Sequence, residues 1–86
     1  MQGVTESGFK FNVHDKVLNN MELVEAIAEV DTNPLRLPGL LTMLLGDEQK
    51  KKLYDHVRIK DGSVPMDKVA AEVVAILNSL GENQKN

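Results

Sequence analysis

Cysteine and tryptophan are absent from the 86 residues of this chain, which also has only two phenylalanines and one tyrosine. Without cysteine the chain can form no disulfide, thiolate nucleophile or cysteine-based zinc site. With so few aromatic residues the core must consist of Leu, Val, Ile, Met and Ala, a composition that favours helices over a β-sandwich. The length predicts one domain with one modest core.

An excess of positive charge and a long apolar run are also missing. Thirteen acidic residues against ten lysines and arginines give a formal net charge of −3 at pH 7, which does not predict a general attraction to nucleic acid. No apolar stretch approaches the ~20 residues that cross a bilayer, and the N-terminus lacks the basic flank and apolar run of a secretory signal. We therefore expect a soluble intracellular protein that makes no membrane contact.

The overall pattern predicts an all-α fold, a small bundle of about four helices with room for one short N-terminal β-strand. Residues 1–8 show no periodicity and are expected to be a flexible N-terminus. Residues 9–81 are expected to form a single helical domain, and residues 82–86 a flexible polar tail. Within the domain, residues 9–13 alternate between apolar and polar side chains, as in a half-buried strand.

The first helical pattern follows Asp15 and runs to about Val30, with Asn19 or Asn20 able to cap it. Apolar residues cover most of its circumference, so this helix needs neighbours on more than one side. Either it is the central helix of the domain, or part of its face is kept for another chain. Three acidic residues share one narrow stripe: Glu22, Glu25 and Glu29.

A leucine-rich stretch follows, in which Pro34 ends the preceding helix and Pro38 begins a short helix that stops before Gly46. At ~100° per residue its apolar residues cover an arc of roughly 200°, more than one neighbouring helix can bury. We expect one side to pack in the core and the other, with Leu41, Leu45 and Tyr54, to meet a partner or a second copy. The candidate partner-binding residues are Leu40, Leu41, Met43, Leu44, Leu45 and Tyr54.

Two more helices complete the prediction. Asp47 can cap a third helix that runs to about Val57 or Arg58, and its three consecutive lysines point in different directions around the axis. In the last helix Ser63 is the expected cap, Pro65 lies in the first turn and Gly81 follows the end. Its apolar stripe, which begins at Met66 and ends at Leu80, lies opposite a polar face that includes Asp67, Lys68, Glu72 and Ser79.

The sequence contains few motifs that indicate catalysis or metal binding. The turn "DGSV" matches three positions of a calcium-binding EF-hand loop, but Val57, Ile59 and Lys68 stand where side-chain oxygens are required. His14 and His56 lack a second ligand at a suitable spacing. No phosphate-binding loop, GxSxG or HExxH motif occurs. We therefore predict that the protein is not an enzyme and uses no metal or cofactor.

A helix-turn-helix DNA-binding regulator is one alternative, because a short helix, a glycine turn and a lysine-rich helix occur in the right order. The acidic first helix and the absence of an arginine or asparagine array argue against it.

The order of the segments resembles the small tail assembly chaperones of long-tailed bacteriophages and prophages of Gram-positive hosts. The resemblance covers nearly the whole chain after residue 8. It is carried by "MELVEAIAEVD", then "NPLRLPGLLTMLLGDEQ", then a lysine-rich helix and "DGSVPMDKVAAEV". None of these segments is a catalytic signature.

The resemblance implies a helical, non-enzymatic protein of the host bacterial cytoplasm that is not expected in the mature virion. Such a chaperone binds the tape-measure protein, keeps it soluble and promotes assembly of the tail-tube protein around it, and self-association is one way to cover its apolar surface. In such families a frameshifted longer form is often made, of which this chain would be the short form. A structural head-tail or tail adaptor of the virion is the second alternative, since it would have the same composition.

Overall fold

The computed structural model describes residues 1–83 of the chain, and the side chains of residues 1–80. It contains a two-stranded antiparallel sheet followed by helices that make up most of the molecule. The strands are β1 (Gln2–Val4) and β2 (Lys10–Asn12), and the helices are α1 (Asp15–Leu18), α2 (Met21–Thr32), α3 (Leu37–Val57) and α4 (Met66–Asn83). A short 3-10 turn, Pro34–Arg36, joins α2 to α3.

Strand β2 has the alternation that the sequence predicts. Phe9, Phe11 and Val13 are buried, whereas Lys10 and Asn12 are exposed. This is the pattern of a strand with one face on the core.

Strand β1 corrects the prediction for residues 1–8, to which the sequence analysis assigned no regular structure. Gly3 lies opposite Phe11 in the ladder, and a Cβ atom at Gly3 would lie 2.6 Å from the Phe11 ring. The pairing depends on backbone hydrogen bonds and on this close approach, neither of which requires apolar periodicity in β1. A composition rich in Gly, Ser and Thr therefore gave no sign of the strand.

The side chain of Gln49 in α3 completes the free edge of β2. The backbone N–H of Asn12 donates to Gln49 Oε1, and Gln49 Nε2 donates to the carbonyl of Asn12, both at 2.7 Å. The amide group thus takes the place that a third strand would occupy, and it satisfies two backbone groups that would otherwise face the helix.

Helix α2 begins as the capping signals indicate, with Asn20 rather than Asn19 as the cap. The side chain of Asn20 accepts a hydrogen bond from the Glu22 backbone N–H at 3.0 Å. After the helix, Asn33 accepts from the Leu35 N–H at 3.2 Å and starts the 3-10 turn. Its first residue is Pro34, which needs no donor there.

Helix α3 combines the two helices that the sequence predicts around Gly46. It begins at Leu37, one residue before Pro38, and ends at Val57. Gly46 alone departs from helical geometry, with φ 80° and ψ 166°, a conformation that glycine adopts easily and other residues rarely. The predicted break is therefore at the right residue, but it is a kink within one element.

Helix α4 corrects three local predictions. It begins at Met66, so Pro65 precedes the first turn. Ser63 does not cap it, because Pro65 holds the cap position, where its carbonyl accepts from the Val69 N–H. The Ser63 hydroxyl donates to Asp61 in the preceding turn. The helix also continues past Gly81 to Asn83, since one glycine within a helix costs only about 1 kcal/mol. The predicted flexible tail thus begins inside α4, and residues 84–86 of it lie outside the described residues.

The core lies where α2, the 3-10 turn, α4 and β2 all pack on α3. Leu41, Leu44 and Leu53 of α3 are fully buried, together with Val13 and Ile76. Phe9 and Phe11 close the end of this core that faces the sheet.

Replacement of Gly46 by alanine is expected to destabilise the protein by about 1–3 kcal/mol, because alanine must adopt a strained backbone at the kink. Gly39→Ala is the matched control: the residue is helical, no atom lies within 4 Å of the added Cβ, and the change should stabilise by about 0.5–1 kcal/mol. Urea unfolding followed by circular dichroism measures both. Equal stability of Gly46→Ala and the unmodified chain would show that the kink carries no backbone strain.

Candidate functional site

The six predicted partner-binding residues divide into two groups. Leu40, Leu41, Leu44 and Leu45 are buried in the core, each at most 6% exposed, whereas Met43 and Tyr54 are half-buried. Leu41 and Leu45, which were expected to face a partner, therefore offer no free side-chain surface in this conformation. The reason is that α2, α4, the 3-10 turn and β2 all pack on α3 and together cover the wide apolar arc. Partner binding by the set itself stays a prediction.

An open apolar groove lies beside these leucines. It has a volume of about 340 Å³ and is formed where the 3-10 turn and the start of α3 face Tyr54 and the start of α4. Its lining residues are all apolar or aromatic: Pro34, Leu35, Leu37, Pro38, Leu41, Tyr54, Val64, Met66 and Val69. We call this the proline groove. It brings Leu41 and Tyr54 together as the sequence analysis expected, although as lining residues rather than as a protruding surface.

Leu35 and Met66 make this groove unusual for a folded chain. Their side chains are 83% and 61% exposed, so two large apolar groups at its rim remain in water. Scattered exposed apolar residues are ordinary, but several that surround one concave surface are typical of a contact site. Methionine is also suited to such a site, because its flexible thioether adapts to partners of different shape.

Sequence reasoning missed both rim residues. Leu35 was assigned to a turn, and Met66 to the buried stripe of the last helix. No local signal distinguished Leu35 from Leu37, which lies between the same two prolines and is buried. No signal in the sequence distinguished Met66 from the other members of its stripe.

A second apolar groove, of about 350 Å³, lies between α2 and α4. Leu37 lines both grooves, so the apolar surface continues from one to the other. The exposed Val74 also lines this second groove.

A cluster of polar side chains connects the hairpin formed by β1 and β2 to helices α3 and α4. Glu72 of α4 is buried, and its Oε1 accepts hydrogen bonds from the hydroxyls of Thr5 at 2.8 Å and Ser7 at 2.9 Å. Ser7 Oγ also lies 3.0 Å from Nε2 of His56 in α3. The Phe9 ring packs against the His56 ring with centroids 5.6 Å apart. The helical pattern of the sequence predicts Glu72 on the polar outer face of α4. The pattern contains no sign that the hairpin covers this residue.

Proton counting assigns the direction of each bond in this cluster. The single hydroxyl proton of Ser7 goes to Glu72, so Ser7 must accept from His56, whose Nε2 therefore carries a proton. In a serine nucleophile the direction is opposite, because the hydroxyl gives its proton to the imidazole. The cluster therefore connects the β1–β2 hairpin to α3 and α4, and the Ser7 hydroxyl proton is directed to Glu72 and not to the imidazole.

The Glu72→Ala variant tests this tie. Because Thr5 and Ser7 would lose their shared carboxylate acceptor, we expect a loss of about 1–3 kcal/mol of stability. Glu72→Gln should lose less, since its amide oxygen still accepts, and Glu48→Ala on the exposed face of α3 is the control. Chemical unfolding gives the free energies, and NMR of the Thr5 and Phe9 amides reports the hairpin. Unchanged hairpin amides in Glu72→Ala would contradict the assignment.

The turn before α4 is held by its own residues. Arg58 Nη1 donates to the Gly62 carbonyl at 2.7 Å, and Arg58 Nη2 pairs with Asp55 at 3.0 Å. Asp61 accepts from the Ser63 hydroxyl at 2.6 Å and from the Ser63 N–H at 2.8 Å. These bonds, the hydroxyl first, lower the pKa of Asp61 below its ordinary value of 3.8. A local turn thus explains the residues that resembled part of an EF-hand.

Because the pKa of Asp61 is lowered in the folded state, its bonds to Ser63 should be fully present above pH 3.8 and be lost as the pH falls through the lower, folded pKa. An NMR titration of the Ser63 amide is expected to show a midpoint below 3.8. The Asp61→Asn variant should abolish the transition. A midpoint at or above 3.8 would contradict the hydrogen bonding described for this turn.

Within the part of the chain that the structure describes, no cluster of three or more His, Asp or Glu side chains is placed to share a metal ion. None of the helices described there combines the length and apolar character that a bilayer crossing requires.

Comparison of the chain with models of protein families, with curated proteins and with solved structures found no match.

Proposed function

We propose that this protein is a tail assembly chaperone of a long-tailed bacteriophage or prophage of a Gram-positive host, and that its proline groove binds an apolar segment of the tape-measure protein. The role is non-enzymatic: the protein keeps its client soluble until the tail-tube protein assembles around it. The observation that carries this proposal is the exposure of Leu35 and Met66 at the rim of an apolar groove.

The apolar lining of the groove supports a helical client, because an amphipathic helix that enters an apolar groove presents apolar residues at positions i, i+3 or i+4, and i+7. A chaperone needs affinity for many apolar segments rather than for one sequence. A groove lined by leucine, proline, valine, methionine and one tyrosine meets that need.

The charge distribution supports a protein that stays soluble while this surface is free. Arg36 is exposed beside Leu35, and Lys51 is exposed one helical turn before Tyr54. Charged side chains around an apolar patch oppose nonspecific association without filling the groove.

The proposal predicts that Leu35→Asp combined with Met66→Asp abolishes the chaperone effect but leaves the fold intact, because both side chains lie at the surface. The tape-measure protein from the same genome would be produced with and without this chain, and its soluble fraction measured. Val4→Asp, at an exposed apolar residue that does not line the groove, is the matched control and should act like the unmodified chain.

Three outcomes would contradict the proposal. If the double variant keeps the client soluble, the groove is not its binding site. If this chain is found in purified particles, it is a structural adaptor. If it is retained on DNA at low salt, it is a regulator.

A further inference from the structure

Helix α2 carries an exposed apolar strip beside the face that packs on the core. Leu23 of this helix is buried, whereas Met21 and Val24 are 70% and 54% exposed; Ala28 is also exposed, at the edge of the second groove. These three residues have the spacing i, i+3 and i+7, so they share one face and span about 10 Å along the axis. We call them the α2 strip.

The α2 strip and the proline groove are both apolar surfaces exposed to water. An amphipathic helix that lays apolar residues at helical spacing into an apolar groove is a common mode of recognition. The strip does not enter the proline groove of its own chain, because Leu23 and the neighbouring apolar residues hold an adjacent face of α2 against the core. A second copy is the partner that brings the two surfaces together.

The charges beside the two surfaces are complementary. Helix α2 contains four acidic residues and no lysine or arginine, and at 100° per residue Glu25 and Asp31 fall on the two sides of the strip. At the groove, Arg36 and Lys51 are exposed, and neither forms an ion pair within the described residues. Asp67, which follows Met66, is an acid at the same rim, so the favourable charges lie on the side of the 3-10 turn and α3.

We propose that the free protein forms a twofold symmetric dimer, in which the α2 strip of each copy occupies the proline groove of the other. Each copy contributes one strip and one groove, so the strips and grooves of both copies are covered. No free strip or groove remains to bind a third copy. A stable interface of standard size buries about 800 Å² per copy, which is roughly an eighth of the 6028 Å² surface of this chain.

This inference goes beyond the proposed function and does not depend on it. A groove that binds a second copy explains how an exposed Leu35 and Met66 are tolerated, whether or not a client later replaces the α2 strip. Dimer formation is measured with this chain alone, and client solubility is measured with the tape-measure protein, so the two can fail separately.

Charge reversal provides the test. One variant carries Glu25→Lys and Asp31→Lys, which makes the strip basic; the other carries Arg36→Glu and Lys51→Glu, which makes the groove rim acidic. Each variant alone then has like charges on strip and groove, and we expect its dimer to be about tenfold weaker at low salt. Sedimentation equilibrium or light scattering over a range of concentrations gives the dissociation constants.

An equimolar mixture of the two variants is the decisive sample. The basic strip of one meets the acidic rim of the other, and the acidic strip meets the basic rim, so the mixed dimer should recover to within about threefold of the unmodified protein. Lys52→Glu, at an exposed lysine on another side of α3, is the control and should leave dimerisation unchanged.

Separate outcomes would overturn the proposal. An unmodified chain that stays monomeric up to roughly 1 mM excludes the dimer. A dimer that both charge variants form as tightly as the unmodified protein uses another surface. Weakened variants that do not recover on mixing show that strip and groove do not meet. Circular dichroism and thermal unfolding of each variant exclude misfolding as the cause of weakening.

Discussion

The elements before and after α3 in the chain pack on the same surface, which the leucine side chains of α3 form. Helices α2 and α4, the 3-10 turn and strand β2 all contact α3, and the fully buried Leu41, Leu44 and Leu53 lie on both sides of its kink. With almost no aromatic residues available, branched aliphatic groups from one helix must fill the space between all other elements. The kink at Gly46 lets the two segments of α3 aim their leucines in directions that a straight helix could not.

The small size of the aliphatic core also explains why part of the apolar surface remains exposed to water. A chain of this length buries a smaller fraction of its surface than a larger domain does, and α2 and α4 flank α3 with an open apolar groove between them. The proline groove and the α2 strip are therefore two parts of one apolar excess that this chain cannot cover by itself. Removal of the proline groove from water is the physical link between the proposed client binding and the proposed dimer, because both cover its apolar side chains.

The hairpin attaches to this core through polar groups as well as through its two phenylalanines. Thr5 and Ser7 share the Glu72 carboxylate, and the Gln49 amide completes the edge of β2. No buried side-chain nitrogen or oxygen in the described part of the chain is left without a hydrogen-bond partner. Satisfied polar contacts of this kind fix the position of the hairpin more narrowly than apolar packing alone, because they have directional geometry.

Features that depend on a few neighbouring residues could be predicted from the sequence. The alternation around Phe11 and the break at Gly46 follow from local hydrogen bonding and backbone sterics, and both were predictable. For the cap of α2 the sequence offered Asn19 and Asn20, and the structure uses Asn20. The mainly helical composition of the fold followed from periodicity in the same way.

Which faces of the helices and strands are covered depends on contacts between distant parts of the chain. Glu72 is buried because two hydroxyls from a hairpin 65 and 67 residues away reach it, and β1 forms because β2 offers it a ladder. Leu41 is buried while Leu35 is exposed, although both are leucines of one short segment. Burial depends on which elements meet in space, and local sequence patterns contain only part of that information.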